Sequence, residues 1–85
     1  MPEISRFYGL VILMFFNEHN PPHFHVTYGE FKAIVNISDE IVLGVMPKRA
    51  LILIFEWLEL HRNELLANWE KCQNGINPDK IKPLI

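Results

Sequence analysis

The spacing of apolar residues divides this 85-residue chain into a strand-rich first half and a helical second half. Up to residue 43 the apolar residues fall in short runs. Where apolar and polar positions alternate, the period of two is typical of β-strands, in which successive side chains point to opposite faces. Turn residues separate the runs, as at Tyr28-Gly29-Glu30-Phe31, where glycine supplies a positive φ. The runs predict strands at 4–8, 10–16, 23–28, 31–37 and 41–43.

A helical period begins near Pro47, which is favoured at the first position of a helix because its missing N–H is not needed there. Leu51, Ile54, Phe55 and Leu58 have the spacing of one helix face, and the pattern continues to Cys72 before Gly75. The pattern is weakest around His61. It therefore predicts either one helix over 47–74 or two helices with a kink.

These elements predict an α+β fold in a single domain, residues 1–85. We expect an antiparallel sheet of four to five strands at about 4–45. We expect the helical part, 47–74, to pack on one face of the sheet, followed by an extended tail, 75–85.

Two apolar surfaces predict a partner. The strand at 10–16 is apolar on both faces, which is typical of a strand that is covered on both sides or lies at an interface. An unbroken helix would extend past so small a sheet and leave its second half uncovered. We therefore predict a homodimer or a partner protein, with Trp57, Leu65 and Trp69 at the contact.

Composition narrows the function classes. The net charge is −2, and general nucleic-acid binders usually carry a basic excess. The only cysteine, Cys72, excludes a disulfide within the chain and is interpreted as a small apolar residue. The longest apolar run, 10–16, falls far short of the ~20 residues that cross a bilayer, and the N-terminus does not resemble a secretory signal. These features predict a cytoplasmic protein without a membrane segment.

The segment 17–28 carries the candidate chemistry. In the predicted strand at 23–28, Phe24, Val26 and Tyr28 share one face, which we expect to be the more buried one. His23 and His25 share the other face with Thr27, with their Cα atoms about 6–7 Å apart.

The histidines permit three interpretations. In the first, His23 and His25 are a catalytic acid–base pair that cleaves RNA without a metal or other cofactor. In the second, His19, His23 and His25 bind a divalent transition metal, with Glu18 and Glu30 as the nearest carboxylates. In the third, the imidazoles hold the Pro-Pro loop through hydrogen bonds or contact a partner.

Other residues could bind a ligand at such a site. A cation is needed for a phosphate ligand, and Tyr28 offers a surface on which a base could stack. A pair of cations in the first turn of a helix opposes the helix dipole, which is consistent with a role in anion contact. The candidate cations are Arg6, Lys32, Lys48 and Arg49.

Five segments carry a resemblance to a known family: residues 1–9, Met14–Val26 with its Pro-Pro-His-Phe-His core, Tyr28–Glu30, Pro47–Leu51 and Trp69. The chain resembles the small bacterial proteins numbered 4160 in the domain-of-unknown-function series. The resemblance implies a bacterial cytoplasmic protein, and similar proteins are often encoded beside a second small protein in an arrangement like a toxin–antitoxin pair. It implies no catalytic residues.

Together these observations favour an interaction protein as the first interpretation. It would be the toxin-like or the regulatory half of a two-gene module. It would act by binding a protein, and RNA is a second candidate partner. The metal-independent ribonuclease and the metal-binding module remain the alternatives.

Overall fold

The computed structural model describes residues 3–84 and shows a five-stranded antiparallel sheet followed by one helix. Neighbouring strands in the chain are neighbours in the sheet. The predicted α+β class is thereby confirmed. The elements are β1 (Glu3–Phe7), β2 (Leu10–Leu13), β3 (His23–Tyr28), β4 (Phe31–Asn36), β5 (Val42–Val45) and α1 (Lys48–Gln73).

Two tight turns set the register of the first and third hairpins. Tyr8 and Gly9 have φ values of 48° and 83°. Positive φ at both positions is typical of the two-residue turn that matches the twist of the strands, and the turn places Phe7 opposite Leu10. Gly29, at φ 59°, begins the turn that pairs Tyr28 with Phe31.

The helix covers one face of the sheet. Phe24 and Val26 of β3 point to this face and are fully buried, whereas His23, His25 and Thr27 are half-buried on the other face. The predicted phase of β3 is confirmed for these five residues, and Tyr28 is half-buried. The core extends through Leu10, Ile12 and Met14, Ala33, Val35 and Ile37, and Ala50, Ile54, Trp57 and Leu58 of the helix.

Two strand ends differ from the prediction by more than one residue. The apolar run at 10–16 predicted a strand to Phe16, but β2 ends at Leu13. A strand also needs backbone pairing with a neighbouring strand, and the pairing of β2 with β3 stops at Leu13. β5 continues through Gly44 to Val45, whereas the predicted strand at 41–43 ends before this glycine. Gly44 has φ 118°, and a Cβ there would lie 2.5 Å from the carbonyl oxygen of Lys32, so the position requires glycine.

The helix bends at His61, whose φ of −124° and ψ of 21° are not helical. The bend brings the second half of α1 onto the body of the domain, where Leu65 and Trp69 are buried. Trp57 is also fully buried, and its indole N–H donates to the carbonyl oxygen of Lys82 at 2.9 Å. The structure therefore buries all three predicted contact residues within the same chain, which removes the reason for placing them between chains.

The tail lies against the body of the domain. Asn68 exchanges two hydrogen bonds with the backbone of Asp79, each at 2.9 Å. Ile81 is buried, and its N–H donates to the carbonyl oxygen of Ile4 at 2.7 Å. Within residues 3–84, α1 lacks the apolar length that a membrane-spanning helix needs.

Candidate functional site

Three side chains meet where the loop after β2 returns to the sheet. Oε1 of Glu18 lies 2.5 Å from Nε2 of His25 and 3.2 Å from Nε2 of His23. The three candidate ligand atoms all lie within 4.8 Å of one another. We call this group the Glu–His cluster (Glu18, His23 and His25).

The surrounding elements fix these side chains in place. Both histidines belong to β3, where His25 pairs with both β2 and β4 and His23 pairs with β4. Glu18 belongs to the loop, and its backbone carbonyl accepts a hydrogen bond at 2.8 Å from Nε2 of Gln73 at the end of α1. Nδ1 of His23 lies 2.9 Å from the carbonyl oxygen of Pro21. A carbonyl oxygen can only accept, so Nδ1 of His23 is the donor.

Aromatic rings form two walls of the cluster. The ring of Phe15 meets the ring of His25 edge-on at a centroid distance of 4.5 Å. The ring of Trp69 lies 5.0 Å from the ring of His23. The side chains of His23, His25 and Glu18 retain only 14%, 25% and 28% of their exposure. The cluster is therefore partly screened from water.

The charge of Glu18 is set by its neighbours. Partial burial by itself raises the pKa of the Glu18 carboxyl, but the hydrogen bond and electrostatic attraction that His25, and then His23, offer in their protonated forms outweigh it. The net effect is a pKa below the ordinary value for glutamate. Glu18 is consequently a carboxylate at neutral pH.

An uncovered groove lies beside the cluster on the face of the sheet opposite the helix. It has a volume of about 510 Å³. His25 belongs to both the cluster and the groove. The residues that line this open-face groove include Leu13, Phe15, His25, Lys32, Ile34 and Leu43.

The structure separates the remaining predicted site residues. His19 is exposed in the loop and borders a smaller hollow with His23, but it is not a member of the Glu–His cluster. Lys32 lines the open-face groove. Tyr28 and Arg49 line a different hollow of about 330 Å³.

The other two predicted cations lie apart from the cluster. Arg6 forms an ion pair with Glu3 at 2.8 Å. Lys48 is exposed in the first turn of α1. Of the cations proposed from the sequence, Lys32 therefore shares a groove with His25, whereas Arg6 is held in an ion pair and Arg49 lines a different hollow.

Neither Glu18 nor the apolar residues that line the open-face groove were among the site residues predicted from the sequence. The available signal for Glu18 was its place five residues before His23, among the nearest carboxylates. The signal for the groove was the second apolar face of the run at 10–16, which supplies Leu13 and Phe15.

The comparisons with known proteins gave one match. A search of the curated proteins and a search of the solved structures each found no significant match. The model of the family described as domain of unknown function (DUF4160) matches residues 9–70, which include the Glu–His cluster and most of the sheet. The chain therefore belongs to the DUF4160 family.

Proposed function

We propose that this protein is an interaction protein that binds a second protein on the open face of its sheet. The observation that carries the proposal is the apolar lining of the open-face groove, at Leu13, Phe15, Ile34 and Leu43. Leu43 is 64% exposed and Val45, on the same face of the edge strand β5, is 69% exposed. Contiguous exposed apolar surface on a small domain is typical of a protein contact site.

The charges around the groove favour a protein over a nucleic acid. Lys32 and His25 are basic groups among mainly apolar lining residues. Binding of a nucleic acid relies on several cations that neutralise phosphates. A protein partner instead buries apolar side chains at the centre of its contact and leaves polar groups at the rim.

The partner we propose is a small protein encoded by a neighbouring gene, which is the arrangement that the family resemblance implies. In that arrangement the chain would be one half of a bacterial two-gene module, in the cytoplasm, and its groove would receive apolar side chains of the other half. Self-association and RNA binding are the competing outcomes of the test.

The test is co-expression with the product of the neighbouring gene, followed by purification, nuclease treatment and light scattering. Leu43→Glu places a charge in the groove, and we expect it to weaken the complex at least tenfold, about 1.4 kcal/mol. Leu60→Glu is the matched control, because Leu60 is 65% exposed on α1, away from the groove. Equal affinity of the two variants for the partner would contradict the proposal.

The competing outcomes are distinguished in the same preparation. A homodimer that Leu43→Glu dissociates keeps the groove as the contact but replaces the partner with a second copy. A complex that nuclease treatment destroys, with Leu43→Glu unaffected, would refute the protein-binding function.

A further inference from the structure

We infer that Glu18, His23 and His25 form a binding site for one divalent transition-metal ion. The ligands would be Nε2 of each histidine and a carboxylate oxygen of Glu18. This inference goes beyond the proposed protein contact and does not depend on it. It also replaces the set predicted from sequence, in which His19 was the third ligand.

The spacing of the donor atoms is close to that which one ion requires. Zn²⁺ and similar ions bind imidazole nitrogen and carboxylate oxygen at about 2.0–2.2 Å, so neighbouring ligands lie roughly 3.0–3.5 Å apart. Nε2 of His23 and Oε1 of Glu18 are 3.2 Å apart, inside this range. Nε2 of His25 is 2.5 Å from the same oxygen, so this pair would have to open by about 0.5–1 Å. A small rotation of the partly exposed Glu18 side chain would supply that movement.

The hydrogen bond from Nδ1 of His23 leaves Nε2 of the same ring available to bind a metal. Since Nδ1 donates to the carbonyl oxygen of Pro21, the neutral ring has its lone pair on Nε2. That lone pair faces the Glu18 carboxylate at 3.2 Å, and a carboxylate also only accepts. Two acceptors face each other, so a proton or a cation is required between them. A metal-bound histidine commonly donates its second N–H to a carbonyl or carboxylate, as His23 does.

The surroundings hold the site in shape. His25 is fixed by pairing with both β2 and β4, His23 is fixed by pairing with β4, and the Glu18 backbone is tethered by Gln73. Phe15 and Trp69 flank the two imidazoles and limit the access of water. Gln73 thus positions the backbone of Glu18, the residue that supplies the carboxylate ligand. Because the aromatic walls limit the access of water, they strengthen the attraction between the ion and its ligands.

The donor set indicates the class of metal. Two imidazoles and one carboxylate bind Zn²⁺, Fe²⁺ or a related first-row ion, whereas Ca²⁺ and Mg²⁺ prefer oxygen ligands. Three protein ligands leave at least one coordination position for water or another ligand. His25 also lines the open-face groove, so that position would be close to the groove.

The experiment uses the full chain without an affinity tag, freed of metal with a chelator and titrated with ZnCl₂ in a calorimeter. We expect one Zn²⁺ per chain. In a second titration, Co²⁺ serves as a coloured substitute, and we expect visible absorption bands that Zn²⁺ then removes. Absence of saturable binding at one ion per chain would overturn the inference.

Variants identify the ligands. We expect Glu18→Gln and His25→Gln each to weaken Zn²⁺ binding at least tenfold, because each removes a ligand while nearly keeping its size. His19→Gln is the matched control and should change the affinity less than twofold, since His19 is an exposed neighbour in the same loop. If Glu18→Gln retains full affinity, or if His19→Gln loses it, the assignment is wrong. Circular dichroism checks the fold of each variant, and if one of the two ligand variants fails to fold, the other decides the question.

Discussion

The side chain of Asn68 holds the C-terminal tail, and its removal gives a quantitative test of the fold. Its Nδ2 donates to the carbonyl oxygen of Asp79, and its Oδ1 accepts from the Asp79 N–H, both at 2.9 Å. Asn68 is only 2% exposed. The tail that it anchors supplies Ile81 to the core and the carbonyl oxygen of Lys82 to the indole of Trp57.

The expected loss of stability in Asn68→Ala follows from these two hydrogen bonds. Asn68→Ala removes both, at a net cost of ~0.5–1.5 kcal/mol each, and leaves two backbone groups without partners. Because Asp79 itself is exposed, water satisfies part of that loss. We expect a decrease of about 2–3 kcal/mol in the free energy of unfolding. For a domain of this size the total is ~4–13 kcal/mol, so the melting temperature should fall by roughly 10–20 °C.

The assay is thermal and urea unfolding followed by circular dichroism. Asn63→Ala is the control, since Asn63 is an exposed residue of the same helix. Asn68→Asp adds a second comparison: it keeps the acceptor for the Asp79 N–H but places a carboxylate oxygen against the Asp79 carbonyl. We expect it to be at least as destabilising as Asn68→Ala. If Asn68→Ala is no more destabilising than Asn63→Ala, the tail is not held by this side chain.

Two further outcomes test the core and the edge strand. Cys72 is fully buried, and burial raises the pKa of its thiol. It should therefore react with a thiol reagent slowly in the native protein and rapidly in denaturant, and fast native labelling would contradict the packing of α1. Gly44→Ala should cost about 2 kcal/mol or more in urea unfolding, because its Cβ would meet the Lys32 carbonyl. Gly29→Ala, with open space around the Cβ, should cost less, and the reverse order would show that β5 is placed incorrectly.

The sequence carried most of the information about the sheet. In β3 the alternation of residues 23–28 indicated that Phe24 and Val26 share the covered face, because a shift of one residue would have exposed both and buried two imidazoles. The end of β2 could not be predicted in the same way. The apolar run continues to Phe16, but strand length is set by backbone pairing, and the pairing stops at Leu13.

The helix shows a second limit. The weak apolar pattern near His61 indicated a single helix or a kinked one, and only the tertiary contacts decide between them. The bend at His61 lets Leu65 and Trp69 reach the core, and Arg62 then donates to the carbonyl oxygen of Ile37 in the sheet. Once the bend is present, the apolar stripe that predicted a partner for the helix is satisfied within the chain.

Two of the three members of the Glu–His cluster, His23 and His25, could be predicted from the sequence. The spacing of His23 and His25 in a strand places both imidazoles on one face, and the structure places them there. The third member could not be read from spacing, because Glu18 approaches through a loop whose path is set by contacts far away in the chain, such as that with Gln73. His19, the histidine next to Glu18 in the sequence, is not a member of the cluster, so proximity along the chain was misleading for the third ligand.

The metal site and the partner surface meet at one side chain. His25 lies in the Glu–His cluster through Nε2, and its ring also lines the open-face groove. Glu18→Gln changes the cluster but no lining residue of the groove, and Leu43→Glu changes the groove but no ligand. Zn²⁺ affinity and partner affinity measured in both variants therefore separate the two proposals. If the partner completes the coordination of the ion, each variant weakens both affinities, since coupling between two binding events is reciprocal. If the sites are independent, each variant loses only the affinity of its own site.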